Sequence, residues 1–211
     1  MQPSHSSFCG IPVGKLLGAL LPLFAWAAVA AISLPANACT SILVSRGASA
    51  DGSVIITYSC DDAGCFSSLG ITPAADHKPG EMIEISPRSP ADKNPRGRIP
   101  QVPHTYKVLS GLMNEHQLAM SETTFTCRPQ AVNPQGLLSY GLMMMLGMQR
   151  ARTAREAIQV MTRLVEEYGY GDAGESISVA DPQEVWIFEI VGSGPGGKGG
   201  VWVAARVPEG E

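Results

Sequence analysis

Cys39 carries the clearest chemical promise in this sequence. It directly follows Ala36-Asn37-Ala38, the small-residue A-x-A pattern that signal peptidase cuts. Cut there, Cys39 becomes the mature N-terminus and carries two reactive groups. A free thiol titrates near about 8.5 and an α-amine near about 7.7. The amine can therefore take the thiol proton around neutral pH without a histidine, so one residue supplies nucleophile and base. Before the cut the nitrogen is an amide and cannot act as a base. Removal of the leader would then switch the site on. Two other fates fit a cysteine here. One is a lipid-modified N-terminus, although the usual box has Leu three residues earlier, where Ala36 stands. The other is an ordinary buried or disulfide-bonded thiol.

The segment ahead of Cys39 supports export. Residues 1–38 hold Lys15, His5 and no acid, and residues 16–34 are almost entirely apolar. Nineteen residues nearly suffice to cross a bilayer, but Pro22 and the A-x-A site favour a signal peptide, residues 1–38, over a retained anchor. The membrane is then met only through that segment. What remains, 39–211, is one domain's worth of chain. The 211 residues carry 15 basic and 19 acidic side chains, a net charge of −4, which argues against a broad nucleic-acid surface. An apolar content of 45% excludes a disordered tail protein.

Other candidate motifs lead nowhere chemical. Residues 192–198 match G-x-x-x-x-G-K, but Gly199 stands where a phosphate loop needs Ser or Thr, and a strand follows instead of a helix. The segment reads as a flexible hairpin loop. Cys60 and Cys65 bracket an acidic stretch, yet no second C-x-x-C or paired histidine completes a zinc set, and no metal or other cofactor is expected. Cys60, Cys65 and Cys127 could supply one disulfide, with the pair left open. His77, His104 and His116 lack metal-ligand spacing; His104 reads as structural at a strand start and His116 as solvated in a turn. The Met143–Met145 run reads as gap-filling core.

The elements that must position Cys39 follow from periodicity and turn chemistry. Residues 40–45 and 54–58 are β-rich runs on either side of Asp51-Gly52, a hairpin at the mature N-terminus. Residues 72–103, rich in Pro, Gly and charge, read as a long surface loop in which only 82–85 is ordered. Residues 104–109 and 118–121 read as a strand pair joined around Gly111 and Asn114. Residues 137–150 form a helix that is apolar on most sides. A second helix starts at the capping box Thr153-Ala154-Arg155-Glu156 and stops at Gly169. Strands over 176–180, 185–191 and 201–207 close the chain. Strands, then helices, then strands is an α+β pattern.

Several of these segments together resemble one family. Cys39-Thr40-Ser41-Ile42-Leu43-Val44, Ala48-Ser49-Ala50-Asp51-Gly52-Ser53 and Asp61-Asp62-Ala63-Gly64 are similar to the start of the PepD-like cysteine dipeptidases. These are N-terminal nucleophile hydrolases related to penicillin V acylases and bile salt hydrolases. The similarity continues through Met113-Asn114-Glu115-His116, Glu122-Thr123-Thr124-Phe125, Thr153-Ala154-Arg155-Glu156, Gly174-Glu175-Ser176, Ala180-Asp181-Pro182, Glu184-Val185-Trp186 and Val201-Trp202.

The resemblance implies a four-layer αββα sandwich and hydrolysis of a dipeptide amide bond. It implies that Cys39 attacks the carbonyl and that its amine shuttles the proton. It also implies an Asp after the second strand, Asp61 with Asp62 beside it, holding the nucleophile or the substrate amine. Oxyanion donors would come from near Thr124, the counterpart of an Asn in the acylases, and from backbone N–H groups. A dipeptide's free amine calls for an acidic subsite, which Asp61, Asp62 or Glu122 could offer. Without a family role, Asp61 or Asp62 would cap a turn and Thr124 would be a plain strand residue. The sequence departs from the pattern where relatives carry Arg-Asn before the acidic pair, for Tyr58-Ser59-Cys60 stands there. Family members are also longer, so residues 39–211 are read as the N-terminal part of a dipeptidase domain and as a poor enzyme alone. The rival functions are a related amidase or acylase on another small amide, and a non-catalytic lipid-anchored exported protein.

Overall fold

Strict alternation of exposed and half-buried positions makes the first two strands a ribbon with one face inward. The computed structural model describes residues 38–61, 69–86 and 94–210. The leader, Asp62, Cys65 and the first part of the predicted cleavage motif lie outside them. Strand β1 (Ala38–Val44) pairs antiparallel with β2 (Ile55–Asp61), Cys39 opposite Cys60 and Ser41 opposite Tyr58. Because side chains alternate across a strand, Cys39, Ser41, Tyr58 and Cys60 share one face. Thr40, Ser59 and Asp61 share the other.

The main sheet has seven strands in the order β13-β12-β11-β10-β9-β8-β3, all antiparallel. Its long members are β10 (Ala119–Phe125), β11 (Gly174–Ala180), β12 (Val185–Gly192) and β13 (Gly200–Arg206). Pairing puts Met120, Glu122 and Thr124 on the same face as Glu175, Ile177, Val179 and Phe188. That face carries helices α1 (Tyr140–Arg150) and α2 (Ala154–Tyr168). Met120, Met143, Met148, Met161, Ile177 and Phe188 are buried between them. A Cβ on Gly147 would meet Met161 and Met120 at 3.1 and 3.3 Å, so this glycine sets how closely α1 approaches the sheet. The opposite face, with Ser121, Thr123, Ser176 and Ser178, receives the β1–β2 ribbon. Antiparallel sheet with helices inserted between β10 and β11 is a mixed architecture compatible with the α+β class.

Caps and side-chain clamps end the helices where the sequence asks. Ser139 Oγ accepts from Leu142 N at the start of α1, two to three residues later than the apolar run alone suggests. Thr153 Oγ1 accepts from Glu156 N, and buried Asp181 accepts from Ala154 N at 2.8 Å. Gly169 ends α2 at φ 76°, a conformation that favours a residue without Cβ. The Gly-rich segment closes the β12–β13 hairpin and gives its Gly196 N–H to Gln135.

Two expectations need correction. Residues 72–103 are not one loop: they contribute β3 (Ile71–Thr72), β4 (Ala75–Asp76), β5 (Met82–Ile85) and β6 (Gly97–Pro100). The β5–β6 pair earns its order by burying Ile85 and Ile99, a gain of roughly 2 kcal/mol per side chain. The expected strand over 104–109 is instead β7 (His104–Thr105) and β8 (Val108–Leu109), which belong to different sheets. β8 pairs with β9 (Met113–Asn114), not directly with β10. His104 Nδ1 donates to the Asp76 carboxylate at 2.7 Å in a pair exposed to solvent. His116 is half-buried edge-on against Tyr106, its ring 4.5 Å from that of the tyrosine.

Asn114 links these short strands to α1. Its buried amide donates to the carbonyls of Met148 and Ala151 at 2.8 Å, and its oxygen accepts from the N–H groups of His116 and Leu118. Asn114→Ala should leave several buried backbone groups unpaired and cost about 3 kcal/mol. Urea unfolding should register this as a lower midpoint at unchanged slope.

Candidate active site

The ribbon delivers Cys39 to a place where three polar side chains meet. Cys39 Sγ lies 3.6 Å from Tyr58 Oη and 3.9 Å from Glu122 Oε1. Tyr58 Oη donates to Glu122 Oε1 in a very short hydrogen bond. β10 pairs with β9 only at Ala119, and Tyr58 reaches Glu122 along the stretch of β10 that lacks a strand neighbour on that side. A further contact fixes the ribbon's height over the sheet: Ser41 Oγ and Ser121 Oγ are 2.9 Å apart. At its far end the ribbon is held by Arg46, which donates to Gln183, and by Glu209, which accepts from Gly47 N.

Electrostatics keep this thiol at rest in the uncut chain. Burial pushes the Cys39 thiol above its ordinary range, and the negative charge of Glu122 pushes it further. The Tyr58 hydroxyl pulls the other way but does not win. Tyr58 itself is driven far up, first by burial and then by its bond to Glu122, so it keeps its proton. That proton is committed to Glu122, which leaves the phenol oxygen as an acceptor for the thiol S–H.

Glu122 has a neighbour of the same charge type. Glu175, on β11, is fully buried, and Thr124 Oγ1 donates to its two oxygens at 3.1 and 3.4 Å. Burial, then the Glu122 carboxylate, raise Glu175 to about 8. Near neutral pH it is therefore mostly the protonated acid.

Of the residues singled out in sequence, Cys39 and Glu122 are brought together. Thr124 lies one alternation along β10 from Glu122 and gives its hydroxyl to Glu175. Asp61 is exposed at the end of β2, opposite Ala38, and accepts from Ser59 at 2.6 Å and Thr40 at 3.3 Å. Its side chain stands on the ribbon face away from the Cys39 thiol but beside the bond between Ala38 and Cys39. Asp62 lies outside the described residues. Sequence reading missed Tyr58 and Glu175. Tyr58 could have been found by alternation, since it shares a face with Cys60 and hence with Cys39. Glu175 is an acid at the head of an otherwise apolar and small-residue strand, a signal of a buried titratable group.

A groove of about 350 Å³ opens beside the thiol, lined by Cys39, Thr40, Ser41, Thr123, Ser176 and Ser178. Ser and Thr side chains are spaced along it, while more of its exposed wall is apolar than polar, with Leu43 and Ile187 contributing. Among the described residues, Cys39, Cys60 and Cys127 form no disulfide. Among the described residues no group of His, Cys, Asp and Glu is arranged to hold a metal ion. The geometry brings a thiol, a phenol and a carboxylate together, and the residue that carries the thiol also lines a groove, an arrangement compatible with acyl transfer.

Comparison with known proteins points the same way. The model of peptidase family C69 matches residues 38–210. A protein named probable dipeptidase A from Streptococcus pyogenes serotype M3 is 26% identical over 198 residues, covering 82% of this chain and 38% of its own length. A protein named dipeptidase from Bifidobacterium longum is 26% identical over 210 residues, covering 82% of this chain and 36% of its own. The chain thus spans little more than a third of the length of these relatives.

The Glu175 environment predicts a pH dependence of stability. Its folded pKa lies above the ordinary carboxyl value, so the fold binds the proton more tightly than the unfolded chain does. Its contribution is fully present below about pH 4.5 and is lost as pH rises to about 8. Glu175→Gln should flatten this slope and leave the variant relatively more stable at pH 8 to 9. Urea midpoints measured at intervals across that range check it.

Proposed function

Because the chain belongs to peptidase family C69, we propose that it is an exported cysteine-type dipeptidase whose nucleophile is Cys39 after cleavage at Ala38. The observation that carries this reading is the Cys39 thiol held at 3.6 Å from Tyr58 Oη, with Cys39 lining a groove beside it. The proposed fold is the αββα sandwich of N-terminal nucleophile hydrolases, and 39–211 is proposed to be its N-terminal part.

The chemistry balances within one residue. The freed α-amine takes the proton from Sγ. The thiolate adds to the dipeptide carbonyl carbon, and the C=O electron pair moves to oxygen. As the carbonyl reforms, the C–N bond breaks and the leaving amine takes the proton from the Cys39 ammonium. A thioester on Sγ remains. Water, deprotonated by the same amine, adds to it, and the released thiolate recovers the proton.

The surroundings divide the remaining work. Asp61 stands beside the position the new ammonium would take, which suits it to hold that group or the substrate amine. Asp62 is the second choice for the same task. Glu122, bound by Tyr58 and near Sγ, opposes thiolate formation in the uncut chain and would attract the ammonium once the chain is cut. The Thr124 hydroxyl is occupied by Glu175, so oxyanion donors are proposed to come from groove hydroxyls and backbone N–H groups close to it. The Ser and Thr hydroxyls along the groove could hydrogen-bond a dipeptide backbone.

Edman degradation of exported protein should begin Cys-Thr-Ser-Ile. Any other first residue, or an acylated Cys39 by mass spectrometry, removes the base and with it the mechanism. In a form carrying a downstream half of relative length, Cys39→Ala should lower dipeptide turnover by several orders of magnitude. Cys60→Ala should cost far less. Normal turnover in Cys39→Ala would refute the assignment.

A further inference from the structure

The two oxygens of Glu122 differ: one accepts a hydroxyl and the other has no such donor. Oε1 takes the Tyr58 hydroxyl and lies within reach of the Cys39 thiol. Oε2 is buried, with no hydrogen-bond partner as placed. A buried carboxylate oxygen left bare costs free energy that a neighbouring donor would recover. The register supplies one. Thr124 is directly opposite Glu175 and Glu122 directly opposite Ile177, so the two glutamates are diagonal neighbours on one sheet face. Diagonal side chains of this length can touch.

The surroundings say which of the two holds a proton. The titratable groups facing the pair are Cys39 from β1, Tyr58 from β2, Tyr140 from α1, and Tyr170 and Asp172 from just ahead of β11. None of these is a cation. Two ionised carboxylates side by side among acids and phenols would repel strongly, so one must stay neutral. Glu122 is placed as the acceptor of the pair, since the Tyr58 hydroxyl donates to it. Glu175 is fully buried and receives one hydroxyl.

We propose that Glu175 is a positioning residue of this site: as the neutral acid it donates to Glu122 Oε2 and thereby fixes the carboxylate on which Tyr58 and the Cys39 thiol converge. It touches neither groove nor thiol. The assignment rests on the reading of Cys39 as the nucleophile. It implies that alkali disturbs the site from behind. Ionisation of Glu175, near about 8, removes the donor and adds a second negative charge near Sγ, so the thiolate becomes harder to form as pH climbs.

The test is the pH profile of Cys39 alkylation by iodoacetamide, followed site by site by peptide mass spectrometry in the intact chain. It requires no turnover. Wild type should give a broadened curve between pH 7 and 10. Glu175→Gln keeps a donor that cannot ionise, so it should match wild type at pH 6 to 7. It should then follow a single-proton curve and react about three- to tenfold faster than wild type at pH 9. Glu175→Leu removes the donor and should change the rate already at pH 7. Superimposable wild-type and Glu175→Gln profiles would overturn the proposal, as would identical behaviour of the Gln and Leu variants. If Glu175→Leu does not fold, carbon-13 NMR of the glutamate carboxyls decides: a Glu175 carboxyl titrating in the ordinary carboxylate range ends it. Failure of the dipeptidase reading would appear separately, as turnover indifferent to Cys39→Ala with the alkylation profiles unchanged.

Discussion

One carboxylate oxygen, Glu122 Oε1, joins the ribbon to the sheet at the point where chemistry is expected. It accepts the Tyr58 proton and stands 3.9 Å from Cys39 Sγ. Two layers that share no ladder hydrogen bond are thereby locked in one register at the thiol. The Ser41–Ser121 contact one step further along keeps the same spacing. The low polarity around Glu122 makes these hydrogen bonds stronger than they would be in water and makes any missing partner costly. The consequence reaches along the same sheet face to β11, where Glu175 is fully buried and held above the ordinary carboxyl range.

The same oxygen gives the uncut chain a chemical reason to be inert. A thiol beside a carboxylate is harder to ionise than a thiol in water, and burial adds to the effect. No residue near Sγ among those described is an obvious base. A free amine on Cys39 itself would address both deficits: neutral, it is the base, and once it has taken a proton its positive charge offsets that of Glu122. Under the proposed reading, cleavage one bond away would change the electrostatics around Sγ.

Much of this architecture is legible in the sequence because it is periodic or locally capped. The Thr153–Glu156 box and Gly169 bound α2 within a residue, and the β11–β12–β13 meander follows its apolar runs and turn residues. Cys39 stands out by its place after A-x-A. What the sequence conceals is non-local. Strands of two residues, such as β3, β4 and β7, carry no period to detect, and they are ordered by partners far along the chain. Tyr58 looks like an ordinary strand aromatic until the ribbon is laid on β10, 64 residues away. Thr124 belongs to a motif, but only the β10–β11 register reveals that its hydroxyl serves Glu175.

The central claim is that cutting before Cys39 activates a thiol that the uncut chain holds protonated. The most direct measurement compares two proteins differing by one residue, one beginning at Cys39 and one retaining Ala38. Cys39 alkylation is followed at pH 7 with Cys60, Cys65 and Cys127 replaced by serine. The account predicts that the protein beginning at Cys39 reacts at least about tenfold faster, with its thiol titrating lower, as expected for a thiol beside a positive charge. Equal rates and equal titration midpoints in the two proteins would contradict it.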